Sequence, residues 1–371
     1  MDRFAPFRTI AHDPADYARS WKARTKKKIV GTFCSYAPEE ILLAADVLGY
    51  RIFGTGSQIS RADMHLQSYG CSLVRGALEE SLAGRLDFLD GVVFPHTCDS
   101  IMRLSDIWRM NLSAGFHMDL VMPVKLTTDS ARDYMIDVFK TFQVELEKIL
   151  GRSITDSDLR EAVDVCNRIR KAVQRIYTMR TRMPWAVPGR DIQAMVRAAM
   201  VMDRREFLGL AEAAAQELET DNFSPCDGKR LVLSGGLCTM PDVYSMIEDA
   251  GAWVVADDLC TGTRFFEGMV DTGGDPVEAI AGRYTRRTVC PAKHSGIRTR
   301  GEHLVRMVKE TGARGVLFLF LKFCDPHGFD YPYLKSMLEK EGIPCMLHEL
   351  DDNQGGGGQF RTRCEAFVEM L

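Results

Sequence analysis

No pair among the eleven cysteines of this 371-residue chain is spaced C-x2-C. That absence argues against a structural zinc site, which usually takes its ligands in such pairs. The cysteines are also scattered along the chain rather than dense, so a secreted disulfide framework is not indicated. No G-x-x-x-x-G-K-S/T loop occurs, and no G-x-G-x-x-G follows the first apolar strand. ATP hydrolysis by this chain and dinucleotide binding by the usual route are therefore not expected. The net charge of -4, with 26% charged residues, lacks the basic excess of a nucleic-acid-binding surface. The run RTKKK at Arg24 to Lys28 reads as a solvated face. No apolar run approaches the roughly 20 residues that span a bilayer, and the N-terminus shows no signal-peptide apolar region. A cytoplasmic protein without nucleic-acid or membrane partners is the expectation.

What is present begins with length. Single cores stop growing near ~250–300 residues, so a chain of this size is expected to have several lobes. Residues 29–130 alternate between short apolar runs (IVGTF, YRIFG, GVVFP, LVMPV) and helical patterns over Pro38 to Leu48, SLVRGALEESLAG and IMRLSDIWRM. Such alternation predicts parallel βαβ units. Residues 131–228 change period, with apolar positions three or four apart in DYMIDVFKTFQVELEKIL and DLREAVDVCNRIRKAVQRIYTM, and a Ser-x-x-Asp cap at Ser153 to Asp156. From 229 to 371 the α/β pattern resumes through RLVLSGG, PDVYSMIEDAG, AWVVADD, GEHLVRMVKETG, GVLFLFL, YPYLKSMLEKEG and PCMLHEL. Residues 1–28 form an N-terminal helical arm. IVGTFCSYAPEEI resembles LVLSGGLCTMPDV, and VVFPHTCD resembles LFLKFCD, which suggests an internal duplication.

The cysteines are not placed at random in this pattern. Cys34, Cys98, Cys260 and Cys324 each follow an apolar strand, at the carboxyl edge where open parallel sheets bind their ligands. Cys71 opens a helix and Cys290 precedes Pro291 in a turn, where loops can bring both to the same region. Cys166, Cys226, Cys238, Cys345 and Cys364 read as small buried apolar residues. Isolated cysteines converging from separate loops suit an iron–sulfur cluster better than zinc. A thiol nucleophile, Cys98 beside His96 or Cys324 near His327, is the other chemistry open to them. The run QGGGGQ, Gln354 to Gln359, reads as a mobile surface loop.

From Lys28 to the C-terminus the chain resembles the iron–sulfur subunits of 2-hydroxyacyl-CoA dehydratases and ATP-dependent benzoyl-CoA reductases, with the related double-cubane cluster proteins. The resemblance is carried by GTFCSYAPEEILLAADVLGYRIFG, YGCSLVRGALEE, GVVFPHTCDSIMRLSDIW, WVVADDLCTGTRFF, LKFCDPHGFDYPYLKSMLEKEGIPCMLHEL and GQFRTRCEAFVEML, in that order. It implies an α/β fold of two Rossmann- or flavodoxin-like lobes with parallel sheets, linked by a helical segment, with a cluster in the cleft between them. It also implies a 4Fe-4S cluster on Cys71, Cys98 and Cys324, and, as in the double-cubane branch, further ligands at Cys34, Cys260 and Cys290 for a double-cubane 8Fe-9S centre.

The implied activity is that of an enzyme component, a lyase or oxidoreductase, in a two-component low-potential system. A partner ATPase with its own cluster acts as activator and delivers single electrons, and an acyl-CoA thioester accepts them. A homologous or identical second subunit completes the dimer. On the same footing, His96 and His327 are candidates for proton supply or contact with cluster sulfur, and Lys293, Arg361 and Arg363 for the CoA phosphates. Asp99 and Asp325 are placed to cap the helices that follow Cys98 and Cys324. The alternative is a homodimeric double-cubane reductase acting on a small non-CoA substrate, and a different class again is a relay subunit whose cluster never meets substrate.

Overall fold

A computed structural model describes residues 2–54, 58–112, 115–237, 242–287, 290–296, 298–350 and 357–371. Two short helices, α1 (Ala5–His12) and α2 (Pro14–Thr25), precede the first lobe. That lobe runs β1 (Ile29–Thr32), α3 (Glu39–Ala44), β2 (Leu48–Arg51), α4 (Ser72–Leu82), β3 (Gly91–Pro95), α5 (Asp99–Asn111) and β4 (Phe116–Leu120). Four longer helices follow: α6 (Asp129–Leu150), α7 (Asp156–Arg182), α8 (Gly189–Val201) and α9 (Arg204–Thr220). The second lobe contains β5 (Lys229–Gly235), α10 (Asp242–Asp249), β6 (Ala252–Asp258), α11 (Thr263–Phe266), α12 (Pro276–Arg286), α13 (Thr299–Thr311), β7 (Gly315–Leu321), α14 (Asp325–Lys340), β8 (Cys345–Leu350) and α15 (Gly357–Met370).

The two sheets have the same strand order. One is β2-β1-β3-β4 and the other β6-β5-β7-β8, and all strand pairs are parallel. Their central strands are covered on both faces, which explains why GVVFP and GVLFLFL are continuous apolar runs rather than alternating ones. In each sheet the order reverses between the two central strands, β1 and β3 or β5 and β7. The crevice at that reversal is where such sheets accept ligands. One apolar core runs through both lobes and the long helices, and a smaller one lies beneath α13 and α14. No helix among the described residues is long and apolar enough to cross a membrane.

Several local expectations are corrected. The helix expected to reach Leu48 stops at Ala44, because Asp46 turns the chain at a φ of 60° and Leu48 already pairs with Ile29. The strand expected at LVMPV lies earlier, at Phe116–Leu120; Val121 and Val124 are exposed and Pro123 lacks the N–H a ladder needs. α7 is capped by Thr155, whose hydroxyl accepts from the Asp158 N–H while the Asp158 carboxylate accepts from the Thr155 N–H, so the capping box lies two residues beyond Ser153. α14 starts at Asp325 rather than Tyr331, carrying Pro332 inside it. Within QGGGGQ, residues 354–356 lie outside the described residues, and Gly357 to Gln359 form the first turn of α15.

Candidate metal centre

Three of the cysteines occupy the same local setting. Cys71, Cys98 and Cys324 are the N-cap residues of α4, α5 and α14, helices of 11, 13 and 16 residues. None of the three thiols makes a capping hydrogen bond, but the backbone N–H groups of the first helical turn, Leu73 and Val74 at Cys71, Ile101 at Cys98 and His327 at Cys324, favour the ionised sulfur. Free N–H groups and the positive end of the helix dipole favour negative charge there. The N-cap positions are thus taken by the cysteines. Asp99 and Asp325, expected as caps, are the first helical residues instead, where their charge complements the dipole.

Glycine sets the position of α4. A Cβ on Gly76 would stand 1.9 Å from the Gly54 carbonyl oxygen, and one on Gly54, at φ +62°, would stand 2.3 Å from the Leu73 carbonyl. Only a glycine pair lets α4 lie directly on the chain leaving β2, which brings Cys71 to the sheet edge.

Electrostatic interactions link the six edge cysteines in a ring, each acting on at least two others. Cys98 interacts electrostatically with Cys71 and Cys34, and Cys324 with Cys71, Cys98 and Cys260. The Cys260 and Cys290 thiols are within hydrogen-bond reach, and Cys290 interacts in turn with Cys34. Cys71, Cys98 and Cys324 form one mutually interacting triad, drawn from both lobes. Burial raises all three thiols, Cys98 and Cys324 to about 12. Cys290 is also raised, first by its hydrogen bond to Cys260, while that bond together with Arg264 and Arg51 lowers Cys260. Burial keeps most of these thiols protonated, and only a bound cation, which supplies positive charge in place of their protons, would make them ligands.

Cations surround the ring. Arg51, Arg264, Arg287, Lys293 and Arg300 are all buried. Arg264 and Arg300 pair with the buried Asp258 at 2.9 and 3.0 Å, and Arg300 also with Asp330 at 2.5 Å. The Arg287 guanidinium lies 4.1 Å from the Tyr36 ring centroid. Lys293 Nζ donates to the carbonyls of His96 and Met122, both at 3.3 Å. Burial lowers the Lys293 ammonium's pKa, and Cys34, Cys290 and Cys98 raise it. Arg51 Nε, Arg264 Nη1, Arg287 Nε and His327 Nε2 have no hydrogen-bond partner among the described residues. Orphaned donors beside six thiols suit an anionic, sulfur-rich group.

The segment carrying Cys290 and Lys293 is stapled to the first lobe. The Leu126 N–H donates to the His294 carbonyl at 2.8 Å, and the His294 N–H to the Val124 carbonyl at 2.7 Å. Beside this staple lies a cavity of about 760 Å³, walled by His96, Cys98 and Lys293, with Met102, Val124, Phe329 and Tyr333 exposed along it. His96 Nε2 is 2.9 Å from Asp119, whose carboxylate also accepts from Ser105. His327 is buried with Nδ1 3.2 Å from the Cys324 sulfur, and burial lowers its pKa to about 3.

The remaining predicted residues lie elsewhere. Arg361 pairs with Asp249 at 3.7 Å, and Arg363 donates to the Leu347 carbonyl at 2.8 Å, both on α15. Cys166 and Cys364 are buried as expected and Cys345 is half-buried, but Cys226 is exposed in the chain before β5. Cys238 lies outside the described residues. Glu39, Glu40 and Cys166 also approach one another closely enough to share an ion. Their carboxylates are already held by Arg170 at 2.7 and 2.5 Å and by Arg204 at 3.0 Å, which accounts for the group as an ion-pair network. Sequence reasoning missed Arg51, Arg264, Arg287 and Arg300. Only Arg51, a charge inside the apolar stretch YRIFG, offered a signal.

Fold and site together define a two-lobed α/β protein whose parallel sheets present a cation-flanked ring of thiols at their switch points. A sequence model described as 2-hydroxyglutaryl-CoA dehydratase, D-component, matches residues 34–371, and the chain belongs to that family. One of the benzoyl-CoA reductase subunits of Thauera aromatica is 30% identical, with 95% of this chain and 94% of that protein covered. The (R)-phenyllactyl-CoA dehydratase beta subunit of Clostridium sporogenes is 26% identical over 99% and 98% of the two chains. The beta subunit of (R)-2-hydroxyglutaryl-CoA dehydratase from Acidaminococcus fermentans is 28% identical over 98% of each.

Proposed function

We propose that this chain is the iron–sulfur subunit of a two-component, ATP-driven low-potential reductase of the 2-hydroxyacyl-CoA dehydratase or benzoyl-CoA reductase type. It receives single electrons from a partner ATPase and passes them toward an acyl-CoA, in the cytoplasm and paired with a homologous or identical second subunit. The observation that carries this reading is the closed ring of six thiols, three of them at helix N-termini, set among buried cations.

In this reading Cys71, Cys98 and Cys324 would hold a 4Fe-4S cubane, and Cys34, Cys260 and Cys290 would be the further ligands of a double-cubane 8Fe-9S centre in the alternative. When bound, such a centre supplies one-electron acceptance and release at low potential. The chain's own residues do the rest. Lys293, Arg264 and Arg287, all buried, offset the negative charge of the thiolates. Phe33 and Phe94, stacked at 4.2 Å behind Cys34 and Cys98, keep that side dry. The roughly 760 Å³ cavity admits a reactant beside Cys98, with His96 on its wall and Asp119 holding the imidazole. ATP hydrolysis falls to the partner, since the chain has no phosphate loop.

The test is anaerobic reconstitution with iron and sulfide, followed by metal analysis and EPR. About four irons per chain supports the acyl-CoA reading and about eight the double-cubane alternative; the count should fall in Cys71→Ala, and an unchanged count in Cys260→Ala would remove that residue from the centre. Protein that stays colourless would overturn the reading. A CoA thioester that leaves the reduced spectrum unchanged would remove the acyl-CoA part and leave the metal centre.

A further inference from the structure

A second cavity, of about 260 Å³, lies beside the thiol cleft. Arg286, Arg287, Arg300, His303 and Arg306 line it, against a single carboxylate among the described residues, Glu267. Ser295 and Arg300 line both cavities, so the two share a wall. Arg300 is committed to Asp258 and Asp330, and Arg287 is fixed on Tyr36, but Arg286 at the end of α12 and Arg306 on α13 are exposed. Two buried donors on the wall, Ser295 Oγ and Arg287 Nε, have no hydrogen-bond partner among the described residues, and Arg287 is only 5% exposed.

Converging guanidinium groups with unspent donors match the acceptor-rich oxygens of phosphate better than any apolar or cationic ligand. A carboxylate ligand would use one fork and leave the others facing like charge. We infer that this cavity binds the phosphate groups of an elongated ligand whose other end lies in the thiol cleft. Resting on the acyl-CoA reading above, those phosphates belong to coenzyme A. The site is distinct from Arg361 and Arg363, which the sequence suggested for this role and which sit on α15 with other partners.

The experiment is calorimetric titration of the anaerobically purified, cluster-loaded protein with CoA, 3′-dephospho-CoA and inorganic pyrophosphate. Wild type is compared with the Arg286→Ala/Arg306→Ala and Arg361→Ala/Arg363→Ala double variants. Both arginines of the first pair are exposed, and unchanged iron content and melting temperature confirm that this variant is folded. The expected result is a loss of CoA affinity of about tenfold or more in the first variant, none in the second, and competition by pyrophosphate. CoA affinity that is unchanged in the first variant, or lost only in the second, overturns the site while leaving the acyl-CoA reading standing. Pyrophosphate binding that depends on Arg286 and Arg306 in a protein that ignores CoA keeps the phosphate site and overturns coenzyme A as its source. No binding of any of the three probes overturns both.

Discussion

Replacing Lys293 with methionine removes one buried positive charge while keeping the length and packing of the side chain. Lys293 is 2% exposed, its ammonium donates to two backbone carbonyls at 3.3 Å, and its charge acts on Cys34, Cys98 and Cys290. A unit charge acting over roughly 6 Å at an effective dielectric of about 20 is worth about 2.8 kcal/mol. At about 59 mV per tenfold for a one-electron couple, that converts to about 120 mV. The sign follows from charge: an added electron is stabilised by a nearby cation, so Lys293→Met should make the centre harder to reduce. EPR-monitored redox titration of anaerobic protein measures the shift directly, and Lys293→Arg, which keeps the charge, should recover most of it. A shift below about 30 mV, or one toward positive potential with iron content intact, would refute the argument that buried cations set the potential here.

Three further outcomes are expected. Arg170→Met leaves the buried Glu40 without its ion pair, held by the Tyr284 hydroxyl at 3.3 Å and by the nearby charge of Arg283, with Glu39 retaining Arg204, and should cost about 3 kcal/mol in urea unfolding of the metal-free protein; a loss under about 1 kcal/mol would mean that these remaining partners suffice. His327, lowered by burial to about 3 from an ordinary 6.5, stays neutral in the fold while the unfolded chain takes up a proton. Stability of the metal-free protein is then fully present above pH 6.5 and falls toward pH 3, by up to roughly 1.4 kcal/mol per pH unit from this one group; His327→Gln should flatten that part of the urea-midpoint profile, and an unaltered slope would rule the residue out. In metal-free protein near neutral pH, iodoacetamide should label Cys260, lowered by Cys290 and its arginines, before Cys98 or Cys324, which burial holds near 12. Peptide mapping that finds Cys98 labelled first would contradict the assigned roles of Arg264 and Arg51.

The expected pattern and the observed fold agree where local physics is decisive. Central parallel strands, covered on both faces, must be continuous apolar runs, so GVVFP and GVLFLFL coincide with β3 and β7. Agreement fails where a local signal has two readings. The apolar residues of LVMPV resemble a strand, yet Val124 lines the cavity, and the real edge strand is the less apolar FHMDL. Pro332 marks a helix start by propensity, but the helix that holds it has already begun directly after Cys324. α12, which brings Tyr284 against the Ala37 carbonyl and places Arg287 beside the thiols, went unread because its pattern follows a glycine-rich stretch, DTGGDP.

By itself the sequence determined that there are two α/β lobes and that cysteines end their strands, because strand periodicity and the carboxyl-edge rule act on neighbouring residues. It could not determine that Cys34, Cys71, Cys98, Cys260, Cys290 and Cys324 close into one ring, or that five buried cations surround them. Those contacts join residues from both sheets and from loops far apart in the chain, and only the packing of one lobe against the other brings them within electrostatic reach.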